Sequence, residues 1–192
     1  LYVPGQGVWC SLHRDGKKVE MRHAFDFIMV GQSLADILEQ GTKKEMLDFV
    51  EKELLTKDWM RAQSLSDISA AYSDRPDHGP MGAYDAWPAL TMDVMCLFGK
   101  FDTALAFLRR TENVTYEGPF AQSHELLGRT FDAASRIANR GGNDYNETCG
   151  AAFADVIIGS FFGYRPGLDG EVRLLAPDTA RGFRGQLRHL SY

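Results

Sequence analysis

The run RHAFDFIMVGQSLADILEQGTKKEMLDFVEKEL, residues 22–54, sets the fold class. Phe27, Val30, Leu34 and Ile37 recur at three- and four-residue spacing between Arg22 and Gln40, the period of one face of an α-helix, and Gly41 is a natural stop. Thr42 is positioned to cap a second helix. Its apolar stripe is Met46, Phe49, Val50 and Leu54, with Lys43, Lys44, Glu51 and Lys52 on the wet side. The two together predict a helical hairpin.

The pattern returns after a long polar loop. Trp87, Leu90, Val94 and Leu97 predict a helix with Pro88 in its first turn, where a missing N–H costs nothing, and Gly99 at its end. Phe101, Leu105 and Leu108 predict its partner, ending at Arg109 and Arg110, cations suited to a helix carboxyl end. A third segment, CGAAFADVIIGSFFG from Cys149 to Gly163, is apolar nearly all round and predicts a helix buried on every side. A shorter helix is predicted over Phe131 to Asn139. In the tail, EVRLL alternates Val172 and Leu174 with charged neighbours, and GQLRHLSY predicts another short strand after a turn around Pro177. The chain thus reads as mainly α, with residues 1–166 as helical hairpins and residues 167–192 as a short β-rich extension packed on them.

Composition narrows the partners. A chain of 192 residues, 44% hydrophobic and 11% aromatic, can bury one real core. Its net charge of -5 offers no basic face for a phosphate backbone, which argues against nucleic acid as a partner. Cys10, Cys96 and Cys149 lie far apart without CxxC spacing and read as free thiols rather than a metal site or disulfide framework. No apolar run approaches the ~18 residues of a membrane span. LYVPGQGVW at Leu1 resembles the middle of a protein more than a translation start, so the chain is expected to be a piece of something longer.

Chemistry-bearing residues gather at the helix starts. Arg22, His23 and Asp26 stand before or in the first helix. Arg75, Asp77, His78, Tyr84, Asp85 and Trp87 belong to DRPDHGPMGAYDAWP before the third. Asn143, Asp144, Tyr145, Asn146 and Glu147 precede the last. A further loop, YEGPFAQSHE, adds Glu117, His124 and Glu125. Carboxylates supply acid and base, aromatic rings stack on sugar faces, and glycine and proline fix non-repetitive loops. If the long helices run parallel with their partners outside, all these loops meet at one mouth.

GAYDAWP, Gly82 to Pro88, and NDYNETCGAAFADV before the last helix carry a resemblance to a known family. The first is similar to a motif of processing α-glucosidases and their bacterial relatives, within the six-hairpin glycosidases, whose domain is an α/α toroid. The resemblance implies a partial toroid, the carboxyl-terminal part of such a domain, since two helix pairs and part of a third are visible where the family has six. It places the general acid on Asp85 and the catalytic base on Glu147, with Asp77 and Glu125 as further candidate carboxylates and no cofactor. It also implies inversion, for which the two carboxyl groups stand roughly 6.5–9.5 Å apart. Burial beside Tyr84 and Trp87 is expected to keep Asp85 protonated, while Asn143 and Asn146 leave Glu147 ionised.

Plainer readings stay open at each position. Asp85 also fits a helix cap, Arg75 and Asp77 a loop ion pair, and Glu125 a helix-start carboxylate. His23 and His78 also fit a hydrogen-bonded scaffold, and Trp87 the core, leaving Trp9 freer to stack on sugar. The NVT and NET triplets at Asn113 and Asn146 are discounted as glycosylation sites. Two other functions compete with hydrolysis: a helical scaffold binding carbohydrate or protein without turnover, and a polysaccharide lyase using Tyr84 or His78 with Arg75. An incomplete toroid predicts self-association or docking with the rest of a longer chain.

Overall fold

Val8 and Trp9 near the amino terminus lie in a three-stranded antiparallel meander that the helical periodicity did not announce. The computed structural model describes residues 1–73, 75, 78–83, 86–115, 123–126, 136–139, 147–167, 170–174 and 184–188. Strands β1 (Tyr2–Val3), β2 (Val8–Leu12) and β3 (Lys18–Met21) pair in order, with Trp9 opposite both Tyr2 and Met21. The β1–β2 turn seats on the next helix pair. Gly7, at φ 70°, leaves no space for a side chain against the Glu45 carbonyl, and the Tyr2 hydroxyl donates to the Glu45 carboxylate.

Helix α1 (Ala24–Leu34) is shorter than its apolar period predicts. The Leu34 carbonyl accepts from both the Ile37 and Leu38 N–H, turning the chain through backbone bonds alone. Gly41 therefore lies inside α2 (Gln40–Phe49) and does not end α1. The α2 cap position is Glu39, not Thr42, and makes no side-chain cap bond. A π-helical turn, Val50–Leu54, extends α2 and returns Glu53 to Arg22 at the start of α1, so the pair is an antiparallel hairpin.

Helix α3 (Trp87–Leu97) ends as expected at Gly99, whose φ of 79° lets the chain reverse into α4 (Phe101–Thr115). Arg109 and Arg110 fall within α4 and do not close it, because the apolar stripe continues to buried Val114. Helix α5 (Glu147–Val156) continues as a π-helical turn, Ile157–Phe161. It is not buried on every side: Ala151, Ala154 and Asp155 are exposed while Val156 and Phe161 are buried. Small alanines raise apolar count without requiring burial.

Helices α1 and α3 share a direction. His23 meets Trp87 at the starts of α1 and α3, while Gly31 faces Val94 and Gln32 bonds Asp93 farther along, so α1 and α3 run parallel. Phe161 packs on Phe101 at 5.0 Å and Ser160 donates to Asp93. The body of α5 also packs on α3. One continuous core of Phe27, Met46, Leu54, Trp59, Met92, Phe107 and their neighbours joins the sheet, both hairpins and α5.

Two hairpins complete the described chain. Strands β4 (Ser123–Leu126) and β5 (Arg136–Asn139) pair antiparallel, with His124 opposite Ala138 and Glu125 opposite Ile137. Over its described part, the helix expected at Phe131 to Asn139 is thus a strand, whose backbone pairs with β4. Strands β6 (Tyr164–Pro166) and β7 (Val172–Leu174) form the second hairpin, placing EVRLL in a strand as expected. Of GQLRHLSY, where a strand is expected, residues 185–188 carry none, Gly185 lying against the Phe162 ring, and residues 189–192 lie outside the described residues. Cys10 and Cys96 are free thiols, and burial, with the Asp93 charge, pushes the Cys96 thiol up to about 12. No helix among the described residues is long and apolar enough to cross a membrane.

Candidate functional site

A helix start leaves N–H groups that need acceptors. At α1 the acceptor is an imidazole. His23 holds extended backbone at φ -128° and ψ 147°, and its Nδ1 accepts from the Phe25 N–H at 2.9 Å. With Nδ1 accepting, the ring proton sits on Nε2, which donates to the His78 carbonyl at 3.2 Å. Burial holds the His23 pKa below its ordinary 6.5. The hydrogen bond to the His78 carbonyl and the Asp67 charge work against this, and the His78 charge works with it.

Trp87, the first residue of α3, is the hub of this end. The rings of His23, Phe25 and His78 meet its indole edge-on at centroid distances of 5.4, 6.2 and 5.8 Å. It is core, 8% exposed, yet touches the candidate residues, and its buried Nε1 has no hydrogen-bond partner among the described residues.

A segment with no motif to single it out holds the two helix starts together. Arg61 to Ser64 runs buried between them. On one side, the Ala62 carbonyl accepts from Ala24 and the Ser64 N–H donates to the Arg22 carbonyl. On the other, Ala62 and Gln63 donate to the carbonyls of Gly82 and Gly79. The Arg61 guanidinium donates to the Pro80 carbonyl, and Trp59 Nε1 donates to the Ala83 carbonyl at 3.1 Å. The only signal in the sequence is Trp59, Met60 and Ala62 set among polar residues.

Arg22, expected to bind substrate, is committed to the protein. Its guanidinium donates to Glu53, Glu20 and Gln6, its face lies 5.4 Å from the Phe49 ring, and its N–H donates to Asp67. Burial alone would raise the Glu53 pKa, but bonds from Arg22 and Ser64 outweigh it and hold the carboxyl below the usual range. Asp67 is held down in the same way by Arg22, Ser69 and Gln63. The pull is therefore toward a fixed ion-paired knot beneath the site.

Asp26 lies in the first turn of α1, about 140° around the helix from Gly31 and hence off the α3 side. Burial raises its pKa, and among the described residues nothing hydrogen-bonds or ion-pairs with it. Arg75 and His78 are exposed. Trp9 is half-buried against Tyr2 at 5.0 Å, so its ring is not the free platform expected. The α3 cap position is Ala86, with no side-chain cap bond; Asp85, considered for a cap role, lies outside the described residues. Glu147 opens α5, and His124 and Glu125 lie on β4, so Glu125 is no helix-start carboxylate. Asp77, Tyr84, Asp85, Glu117, Asn143, Asp144, Tyr145 and Asn146 lie outside the described residues. Among the described residues no group of three or more His, Cys, Asp or Glu is placed to hold a metal ion.

At the far end of α3 from Trp87, Asp93, Asp155, Tyr164 and Arg165 line a separate cleft of about 320 Å³. Comparison with family models, curated proteins and solved structures gave no match to this chain.

Proposed function

We propose that this chain is a catalytic portion of a glycoside hydrolase, cleaving an oligo- or polysaccharide by carboxylate general acid/base chemistry with inversion. The observation that carries this reading is the parallel course of α1 and α3, which sets their amino ends toward one side. The two meet around a tryptophan ringed by two histidines and a phenylalanine. Asp85 precedes that tryptophan by two residues and is the proposed acid. Glu147, first residue of α5, is the proposed base. Two antiparallel hairpins whose first helices are parallel, followed by a third helix packed on α3, fit a partial α/α toroid, in which the inner helices open on a common mouth.

In this mechanism the acid protonates the leaving oxygen while the base draws a proton from water on the opposite face of the sugar. The Arg61–Ser64 bridge fixes the Gly79–Ala83 approach to Asp85, as an acid held by a rigid support requires.

The test is release of reducing sugar from a broad glycan panel by the chain and by Asp85→Asn and Glu147→Gln. Hydrolysis lost in both variants with folding intact is the expected result. Hydrolysis that survives either substitution overturns that residue's role. Saturable glycan binding without turnover would replace the enzyme with a binding scaffold, and a product absorbing ultraviolet light would replace hydrolysis with lyase action.

A further inference from the structure

The cap on α1 is an imidazole with both nitrogens engaged: one accepts from α1 and the other donates to the loop that leads to α3. We propose that His23 is a positioning residue, a neutral imidazole that latches the Gly79–Ala83 segment to the amino end of α1 and releases it on taking up a second proton.

The geometry permits only one protonation state. A proton on Nδ1 would point at the Phe25 N–H, two donors face to face, and would place a positive charge at the positive end of the helix dipole. Turning the ring to escape that opposition withdraws Nε2 from the His78 carbonyl and disturbs the edge contact with Trp87. The backbone around it is coupled to the same choice. His23 pairs with Gln63, whose N–H bonds Gly79, and Ala24 bonds Ala62, whose N–H bonds Gly82.

The groups facing the ring set the direction. From the loop after Arg61, Asp67 favours the cation, although its carboxylate already accepts from Arg22 and Ser69. From the other loop, the His78 charge disfavours it. Helix α3 presents Trp87, which carries no charge, and α1 presents its N–H groups. Burial adds to the opposition. The latch is therefore closed at neutral pH and opens only as pH falls below the ordinary histidine value of 6.5.

The latch stands on geometry alone, whereas its effect on turnover rests on the proposed function: release of Gly79–Ala83 displaces the approach to Asp85. Nuclear magnetic resonance of the full chain, labelled at histidine ring and backbone nitrogens and titrated from neutral to mildly acid pH, reads it directly. His23→Asn retains a cap acceptor that cannot titrate, and His78→Gln is the control. The expected result is a His23 Nε2–H tautomer at neutral pH and one midpoint below 6.5 shared by His23 and the Phe25, Gln63 and Gly82 amides. That amide transition vanishes in His23→Asn and persists in His78→Gln.

An Nδ1–H tautomer, a His23 titration that leaves those amides unmoved, or a transition surviving in His23→Asn overturns the latch. Should His23→Asn fail to fold, the tautomer and the shared midpoint of the native chain still decide. In an activity profile, His23→Asn is expected to extend the acid limb. Absence of hydrolysis on every glycan would defeat the proposed function and leave the resonance result standing. Hydrolysis with unmoved amides would defeat the latch alone.

Discussion

Gly31 of α1 faces Val94 of α3 with no room for a side chain between them; a methyl group built on Gly31 collides with both γ-methyls of the valine. This contact brings two parallel helices together about two turns below the candidate mouth, so it sets how closely His23 and Trp87 stand.

Gly31→Ala is expected to destabilise the chain despite improving helix propensity. The propensity gain is about 1 kcal/mol, while overpacking costs about 1–3 kcal/mol. Val94→Ala alone loses core packing, but combined with Gly31→Ala it leaves space for the new methyl. Urea unfolding of the two single variants and the double variant should give a double-variant loss smaller than the sum of the singles. Strict additivity would mean the two positions do not compete for the same space.

Glu53→Gln should cost about 1–3 kcal/mol, the scale of hydrogen bonds to charged groups in a half-buried site. The pH dependence has a definite sign. Glu53 and Asp67 both titrate below their ordinary values of 4.5 and 3.8, so in acid the unfolded chain binds more protons than the folded one. Their stabilisation is complete above those values and is lost as pH falls through the folded-state titrations. Unfolding curves taken down through this range should show a shallower decline for Glu53→Gln than for the native chain.

The hairpins were legible because Phe27, Val30 and Leu34, and then Met46, Val50 and Leu54, repeat at helical spacing, a signal confined to neighbouring turns. The β1–β3 meander was not: its strands are short, and Gly7 reveals its purpose only against Glu45. Of the candidate site, the clustering of polar and aromatic residues at helix starts could be read locally. Arg22 could not, since Glu53 lies 31 residues away and makes a potential ligand for substrate into a buried support. Nor could Arg61–Ser64, a polar run buried because its backbone bonds are satisfied on both sides by segments distant in sequence. RIAN is short enough for either period, and pairing with β4 decides it.

Asp93 joins three elements: it accepts from Gln32 on α1, from Ser160 after α5 and from Arg165 on β6, the last at 2.7 Å. Asp93→Ala is expected to cost about 2–4 kcal/mol, because it leaves the Arg165 charge without its carboxylate and strips acceptors from two further donors. Asp93→Asn should cost less, keeping an acceptor but losing the ion pair. Hydrogen exchange would locate the damage: faster exchange in α5 than in α1 is the expected pattern, since two of the three bonds run to the α5 end. Equal protection throughout would remove Asp93 from this role.

Trp59 and Trp87 provide matched buried indoles that differ in one bond. Trp59 Nε1 donates to the Ala83 carbonyl, whereas Trp87 Nε1 has no partner among the described residues. Replacing either by Phe removes similar apolar area, but Trp59→Phe also strands a buried carbonyl and Trp87→Phe removes a stranded donor. The Trp59 variant should therefore be less stable than the Trp87 variant by about 1–3 kcal/mol in parallel denaturant titrations. The two should also separate in function. Ala83 stands two residues before Asp85, so loosening it at Trp59 is expected to lower turnover on any glycan the chain hydrolyses. Comparable stability in the two variants would show that the Trp59 bond contributes nothing beyond packing, and the fixed approach to α3 would then depend on the Arg61–Ser64 bridge and the His23 latch.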